Sequence, residues 1–361
     1  MSYSFGKNYK VTLFGQSHSK EIGLVIDGIK AGYKINEDLI AKNLERRRPG
    51  RNEFSTPRKE KDLYQLVSGE VDGLTCGAPL CAIIKNKDQR SRDYENLKDK
   101  PRPSHADYPA FVKFYSHNDI RGGGQFSGRM TAPIVIGGSI AEDLLNQRGI
   151  KIYSRIKSIG QAKDDEILLE DIKEENFSDF KDQVFPVINP SSREKMKEEI
   201  LKAKKDGDSI GGVVETFILN MPVGIGEPFF DSIESVISHA VFSVPGIKGI
   251  EFGSGFKAAN MLGSTHNDSY YYKGDKVKTK TNNHGGIIGG LSTGMPIVFR
   301  TAVKPTSSIA KIQDTISLKD KTNEKLKIVG RHDPSIVPRA LVAIEMITAI
   351  ALLDLVMEGE K

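Results

Sequence analysis

Three residues of this chain are suited to acid–base chemistry, and they lie far apart: His18 in Gly-Gln-Ser-His-Ser (15–19), His105 in Arg-Pro-Ser-His-Ala-Asp-Tyr (102–108) and Asp333 in Arg-His-Asp-Pro (331–334). Imidazole changes charge near neutral pH, so two loop histidines and a carboxylate form a proton-handling set wherever a fold unites them. Each also has a plainer reading as a surface residue. His105 and Asp107 are too close in sequence to pair on a helix face; in an extended loop they orient one another or simply form a turn. Arginines surround these candidates. Arg46, Arg47, Arg48 and Arg51 fall within six residues, followed by Arg58, and Arg121, Arg129 and Arg331 stand beside other loops. Guanidinium groups grip carboxylates and phosphates bidentately, and this density exceeds what a helix end requires.

Glycine-rich loops accompany the charges. Gly122 to Gly124 permit positive φ, and Pro133 suits the first turn of the helix suggested by the apolar run 134–145. The loop's N–H groups and the helix N-terminus form a cradle for an anion such as a nucleotide phosphate; a glycine turn leading into a buried helix accounts for the same residues. The 285–290 run Gly-Gly-Ile-Ile-Gly-Gly and the loop Lys304-Pro305-Thr306-Ser307-Ser308 add a second glycine stretch, one cation and three hydroxyls. The chain has no P-loop, dinucleotide fingerprint, His-Glu-x-x-His pair or nucleophile elbow. The pattern suits a highly anionic ligand handled by positioned acids and bases rather than covalent or metal chemistry.

The 361 residues are 38% hydrophobic and 27% charged, an ordinary globular balance with a net charge of only +5. Cys76 and Cys81 have no zinc-ligand spacing around them and read as free core thiols. The N-terminus has neither a signal-peptide apolar stretch nor an Arg-rich transit character, so a cytoplasmic location is expected. Residues 337–357 approach membrane-span length, but Arg339, Glu345 and Asp354 interrupt them, which favours a buried helix over any membrane partner. A nucleic-acid-binding module is the alternative from another class. It is disfavoured because aromatic residues do not interleave with a basic cluster confined to one helix end.

The elements that must position these residues follow from periodicity. Strands are predicted over 11–14, 22–26, 63–71 and 77–85, and a helix capped by Asn36 runs to the stop at Pro49-Gly50, with acids in its first turn and arginines in its last. Residues 151–205 form a charged connector in which 191–194 have the form of a capping box. The second half, 206–361, repeats the order of the first, 1–150: a glycine-flanked strand, a helix ending at Pro245-Gly246, then a loop leading into a long apolar helix. The expectation is one α+β domain over 1–361, a layered sandwich with long apolar helices packed between two antiparallel β-sheets and a quasi-two-fold internal duplication.

Nine segments in order carry a resemblance to the chorismate synthase family along nearly the whole chain: GQSHSKEIGLVIDG (15–28), RRRPGR (46–51), DQRSRDY (88–94), RPSHADY (102–108), RGGGQFSGRMTA (121–132), GDSIGG (207–212), NNHGGIIGGLSTG (282–294), KPTSSI (304–309) and GRHDPSIVPRA (330–340). The resemblance implies trans elimination of phosphate from 5-enolpyruvylshikimate 3-phosphate to give chorismate, in the shikimate pathway of aromatic amino acid biosynthesis. It also implies reduced FMN and a homotetramer. His18 then stands near the phosphate as proton donor, His105 near the flavin as its proton partner, and Asp333 assists proton removal. Positions matching the family's flavin contacts are Gln125, Phe126, Ser127, Pro245, Gly246, Gly289, Lys304, Pro305, Thr306, Ser307, Ser308 and Arg331. Arg48 matches a position assigned to NADPH in members that reduce their own flavin. Arg46, Arg48, Arg51, Arg129 and Arg331 suit the substrate's anionic groups.

Two departures stand out. The family's usual Gly-Glu-Ser-His-Gly is here Gly15-Gln16-Ser17-His18-Ser19, and its usual Arg-Ser-Ser-Ala-Arg-Glu is Gln125-Phe126-Ser127-Gly128-Arg129-Met130. The reaction class is untouched, while flavin affinity is expected to change. An added NADPH-dependent flavin reductase activity is the enzymatic alternative.

Overall fold

The computed structural model describes residues 3–50, 62–86, 97–328, 330 and 332–360. In chain order, the elements that build the site are β1 (Ser4–Phe5), β2 (Lys10–Gly15), β3 (Glu21–Asp27), α1 (Glu37–Arg47), β4 (Tyr64–Ser68), β5 (Leu80–Lys85), α2 (Asp107–Lys113), α3 (Thr131–Gln147), β6 (Lys151–Ile159), β7 (Ala162–Lys163), α4 (Pro190–Lys205), β8 (Gly212–Leu219), α5 (Ile233–Val241), β9 (Ile247–Phe252), β10 (Ile297–Val303) and α6 (Val337–Gly359). One antiparallel sheet has the order β1-β2-β3-β5-β4, and a second has β9-β10-β8-β6-β7.

Alternation decides which face of each sheet is buried. Ile22, Leu24 and Ile26 of β3 and Leu80, Ala82 and Ile84 of β5 are all at most 2% exposed and pack with α3. Cys81 points to the opposite face of β5 and is only half-buried, and Cys76 is exposed. The expectation of core thiols is therefore corrected by strand parity. In the second sheet Ile152, Ile156, Val214, Ile218, Ile297 and Phe299 join the core around α6. The other face carries Tyr153, Phe217, Leu219 and Val298, covered by Phe177 and Phe180 of the connector. On that face Arg155 pairs with Asp164 and Glu215, both at 2.7 Å, and Asp164 also accepts the backbone N–H groups of Ile188 and Asn189. The expectation that 151–205 is only a charged connector is corrected: its start supplies β6 and β7 to the second sheet, and Asp164 ties the 188–189 stretch back to Arg155 of β6.

The helices α3 and α6 cross closely because Gly138 has no side chain: an ideal Cβ there would lie 2.3 Å from Met346 Cβ. The charges within apolar α6 are all engaged. Arg339 meets Asp333, Glu345 meets Arg46, and Asp354 accepts the backbone N–H groups of Lys7, Asn8 and Tyr9 through one oxygen. Although long and apolar enough to cross a membrane, α6 is a core helix, with 94% of its apolar window buried inside the protein.

Helix starts follow local chemistry. Asn36 caps α1, accepting from Leu39 N at 3.1 Å. At α4 the predicted capping box at 191–194 is corrected: Asn189 is the cap, accepting from Ser191 N, and Pro190 occupies the first turn. Proline's fixed φ and missing N–H favour that earlier start.

Candidate active site

The end of α1, the glycine loop before α3 and the loop before α6 converge on a cleft of about 530 Å³. That volume lies within the range of small-molecule and cofactor sites. The starts of α3 and α6 line its wall, so their helix dipoles favour negative charge there.

Gly122, Gly123 and Gly124 have φ of 60°, 88° and 55°, backbone that side-chain-bearing residues rarely adopt. Space is the second reason for glycine. An ideal Cβ on Gly122 would stand 2.4 Å from His18 Cε1, and one on Gly123 would stand 3.2 Å from His105 Nε2. The loop therefore runs between two imidazoles. His105 lines the cleft, while His18, 7% exposed, sits behind Gly122 rather than among the lining side chains. Ser17 N donates to Gly124 O at 3.0 Å, tying the His18 loop to the glycine loop. Ser19 closes the turn beside His18, its hydroxyl accepting from Gln16 N at 3.0 Å.

Of the arginine run, Arg47 lines the cleft. Its guanidinium donates to Asp62 at 2.7 Å, Thr131 Oγ1 at 3.1 Å and Gly128 O at 2.9 Å. Arg129, also lining, pairs with the same Asp62 and donates to Asn86 at 3.1 Å. Burial raises the Asp62 carboxyl, but the Arg47 and Arg129 charges outweigh it and hold Asp62 below the usual carboxylate range. Burial pushes Arg47 down to about 10, against the opposing pull of Asp62. Arg46 instead turns inward, to Glu345 at 2.7 Å and Asn43 at 3.0 Å, and Asn43 continues to Glu142. Arg48 ends α1 in a half-exposed pair with Glu45.

Asp333 lines the cleft with its carboxylate 2.5 Å from Arg339 Nη1, and Arg339 Nε donates to Arg47 O at 3.3 Å. Thr306 Oγ1 donates to Asp333 O at 3.1 Å, joining the 304–308 loop to this corner. Lys304 through Ser308, Pro245, Gly246, Gln125, Phe126 and Ser127 all line the cleft. Burial, then the charge of Lys248, pulls Lys304 down. Gly289 lies at the turn between Ile287–Ile288 and Leu291–Ser292 and is not a lining residue. Arg51, Arg58, Arg331 and the whole 88–94 segment fall outside the described residues.

Sequence reasoning placed Arg47 in the arginine run and Arg339 in the last helix but gave no site role to Arg47, Arg102 or Arg339, all of which line the cleft. Arg102 stood inside the 102–108 motif and Arg339 inside an otherwise apolar helix, and each was a signal. Asp62 carried none, being one acid in a charged stretch.

The cleft suits an anionic group that also carries apolar surface. Phe126, Val244, Ile336, Ala340 and Ala343 give it an apolar side, and the cations and the hydroxyls of 306–308 give it a polar one. Gly246 leaves open a space in which an ideal Cβ would lie 2.9 Å from Ile336.

A family model described as "Chorismate synthase" matches residues 9–357. The chain is 46% identical to the chorismate synthase of Methanocaldococcus jannaschii, covering 99% of this chain and 96% of that protein. It is also 46% identical to that of Pyrococcus abyssi, covering 97% and 96%. A solved structure, "Crystal Structure of Chorismate Synthase", aligns with a TM-score of 0.75 at 29% identity, covering 98% of this chain and 93% of that one.

Proposed function

The chain belongs to the chorismate synthase family, and from that premise we propose that the cleft at the starts of α3 and α6 is where it performs the family's lyase reaction. That reaction removes phosphate from 5-enolpyruvylshikimate 3-phosphate to give chorismate, in the shikimate pathway. The observation that carries the assignment to this cleft is that His105, Asp333 and the cations Arg47, Arg102, Arg129, Lys304 and Arg339 all line one space. The substrate brings two carboxylates and a phosphate, and guanidinium groups held on buried carboxylates meet such anions without further ordering.

Reduced FMN, when bound, supplies an electron-rich ring against which carbon–oxygen cleavage proceeds without net oxidation. Gln125, Phe126, Ser127, Pro245, Gly246 and Lys304 to Ser308 are the residues that would hold it, with the hydroxyls and Lys304 suited to its phosphate. Asp333 accepts a proton at its carboxylate, which Arg339 orients. His105 exchanges a proton at Nε2. His18 donates a proton towards the departing phosphate from behind Gly122. Arg47 and Arg129 hold the substrate's anions and keep water from the reacting bond. Arg331 and Arg51 remain in the proposed ligand set from the family pattern, as does Gly289 for the flavin.

The same reading makes the chain one domain over 1–361 in two related halves, about 1–150 and 206–361, each giving one long apolar helix to a layered core, with β6 and β7 of the second sheet coming from the stretch between them. It places the protein in the cytoplasm as a homotetramer. Exposed Phe229, Phe230 and Phe256 offer apolar surface for such assembly. NADPH, if it serves as reductant, belongs near the α1 end.

The test is an anaerobic assay with chemically reduced FMN, repeated aerobically with NADPH and FMN alone. Asp333→Asn and His18→Ala should each lower turnover by about 10²–10⁴-fold, the usual contribution of a general acid or base. Wild-type turnover in both variants would refute the site. Aerobic activity with only NADPH and FMN would add the reductase function.

A further inference from the structure

His105 is not alone at the start of α2. Its Nδ1 stands 2.6 Å from Asp107 Oδ1. Asp107 is in turn clamped by Arg102: Oδ2 accepts from Arg102 N at 3.0 Å and from Nε at 2.7 Å, while Oδ1 accepts from Nη2 at 2.8 Å. Both carboxylate oxygens are engaged, so the group cannot rotate. Burial alone would raise the Asp107 carboxyl, but the hydrogen bonds from Arg102 and His105 and the Arg102 charge hold it well below the usual range. Arg102 Nη2, a donor, also stands 3.2 Å from His105 Nδ1, but the ionised carboxylate is nearer at 2.6 Å and only accepts, so Nδ1 carries the proton. The other nitrogen, Nε2, lies against Gly123, and only the missing Cβ there leaves it uncovered.

We propose that Asp107, locked by Arg102, is a positioning residue that fixes His105 as the Nδ1–H tautomer and so presents the Nε2 lone pair to the cleft. The inference rests on the reading of His105 as a proton partner and deepens it. A proton taken up at Nε2 gives an imidazolium whose Nδ1–H stays on Asp107, and its release restores the same tautomer. Asp107 remains ionised throughout and is not itself the proton carrier.

The clamp makes the outcome of one substitution directional. In Asp107→Asn the amide oxygen is drawn to the Oδ2 position, where two Arg102 donors converge, which leaves the NH2 group facing His105 Nδ1. Nδ1 must then accept, and the ring proton moves to Nε2. Two-dimensional ¹⁵N spectra of histidine-labelled protein read this directly. Wild type should show a protonated Nδ1 and the variant a protonated Nε2, with turnover lower by about 10²–10⁴-fold and KM changed less than threefold, as expected of a wrong tautomer.

Arg102→Lys guards against a variant that fails to fold. It keeps the carboxylate on Nδ1, so the Nδ1–H tautomer should persist with a smaller loss of turnover. An unchanged tautomer in Asp107→Asn, or a switched one in Arg102→Lys, overturns the proposal. His105→Ala separates the two levels: wild-type turnover and reduced-flavin spectrum there would defeat the role given to His105, and the tautomer spectra would still decide what Asp107 does.

Discussion

Replacing Asp62 by Asn tests how the cleft keeps two arginines in place without a ligand. The Asp62 side chain is fully buried between Arg47, itself 1% exposed, and Arg129. The amide has one acceptor oxygen for two guanidinium groups, so one cation loses its partner and meets an NH2 group instead. Breaking a buried pair in this way costs about 3–5 kcal/mol, a large share of the roughly 5–15 kcal/mol that holds a typical protein folded. Urea unfolding followed by far-UV circular dichroism measures the loss; the chain has no tryptophan to report it.

The same variant should respond more strongly to anions. Inorganic phosphate at about 100 times its dissociation constant stabilises a folded protein by about 2.7 kcal/mol. With the competing carboxylate charge gone, phosphate should bind the variant at least about tenfold more tightly than wild type, worth about 1.4 kcal/mol more at a fixed concentration. The pH dependence has a definite sign. The folded Asp62 carboxyl is depressed relative to its unfolded value of about 3.9, so its contribution is full above that pH and is lost as pH falls through the folded value. The gap between wild type and variant should hold from neutrality to about pH 4 and close below it. A variant within about 1 kcal/mol of wild type, with equal phosphate stabilisation, would refute the shared-counter-ion account.

Arg47→Ala should weaken phosphate or substrate binding by about 1.5–3 kcal/mol, whereas Arg48→Ala, which loses only a half-exposed pair with Glu45, should change it by less than about 0.5 kcal/mol; calorimetric titration distinguishes them. Gly122→Ala places a methyl group on the His18 ring at φ 60° and should cost about 1–3 kcal/mol of stability along with turnover, both read from one purified variant. Arg155→Ala removes the cation shared by buried Asp164 and Glu215, leaving Asp164 its backbone donors and Glu215 a longer pair with Arg300, and should destabilise the fold by about 3–5 kcal/mol, with proteolysis in 164–189 as the early sign, while ligand affinity in the folded fraction stays unchanged.

Much of this architecture was legible where local chemistry decides it. Asn36 ahead of two acids marked the start of α1, three glycines marked the positive-φ loop, and the charges in 337–357 marked a buried helix rather than a membrane span. Helical phase was not legible. Successive residues on a helix point about 100° apart, so a run of three arginines must present one to each of three surroundings. Glu345 of α6 takes Arg46, Asp62 takes Arg47 and Glu45 takes Arg48; two of these partners are distant in the chain or lie beyond a break in any periodic pattern. The position of His18 is hidden for the same reason, since the fold, not the 15–19 loop itself, puts Gly122 in front of it.

The cleft's charge pattern also explains why its arginines need carboxylates at all. Arg47, Arg102, Arg129 and Arg339 line it, and each is held from behind or beside by Asp62, Asp107 or Asp333. A guanidinium has five N–H donors in a rigid fork, and Arg47 uses three groups of them on Asp62, Thr131 and Gly128. Folding therefore bears the cost of fixing the side chain, and donors remain to meet an anion that arrives later. A flexible lysine set would have to be ordered at the moment of binding. Lys304, the one lysine in the lining among the described residues, is pulled down by burial and by Lys248, so a bound phosphate would relieve its position rather than merely occupy it. The arginines supply a fixed frame and the lysine a charge whose stability depends on the ligand, a division that suits a cleft for anions.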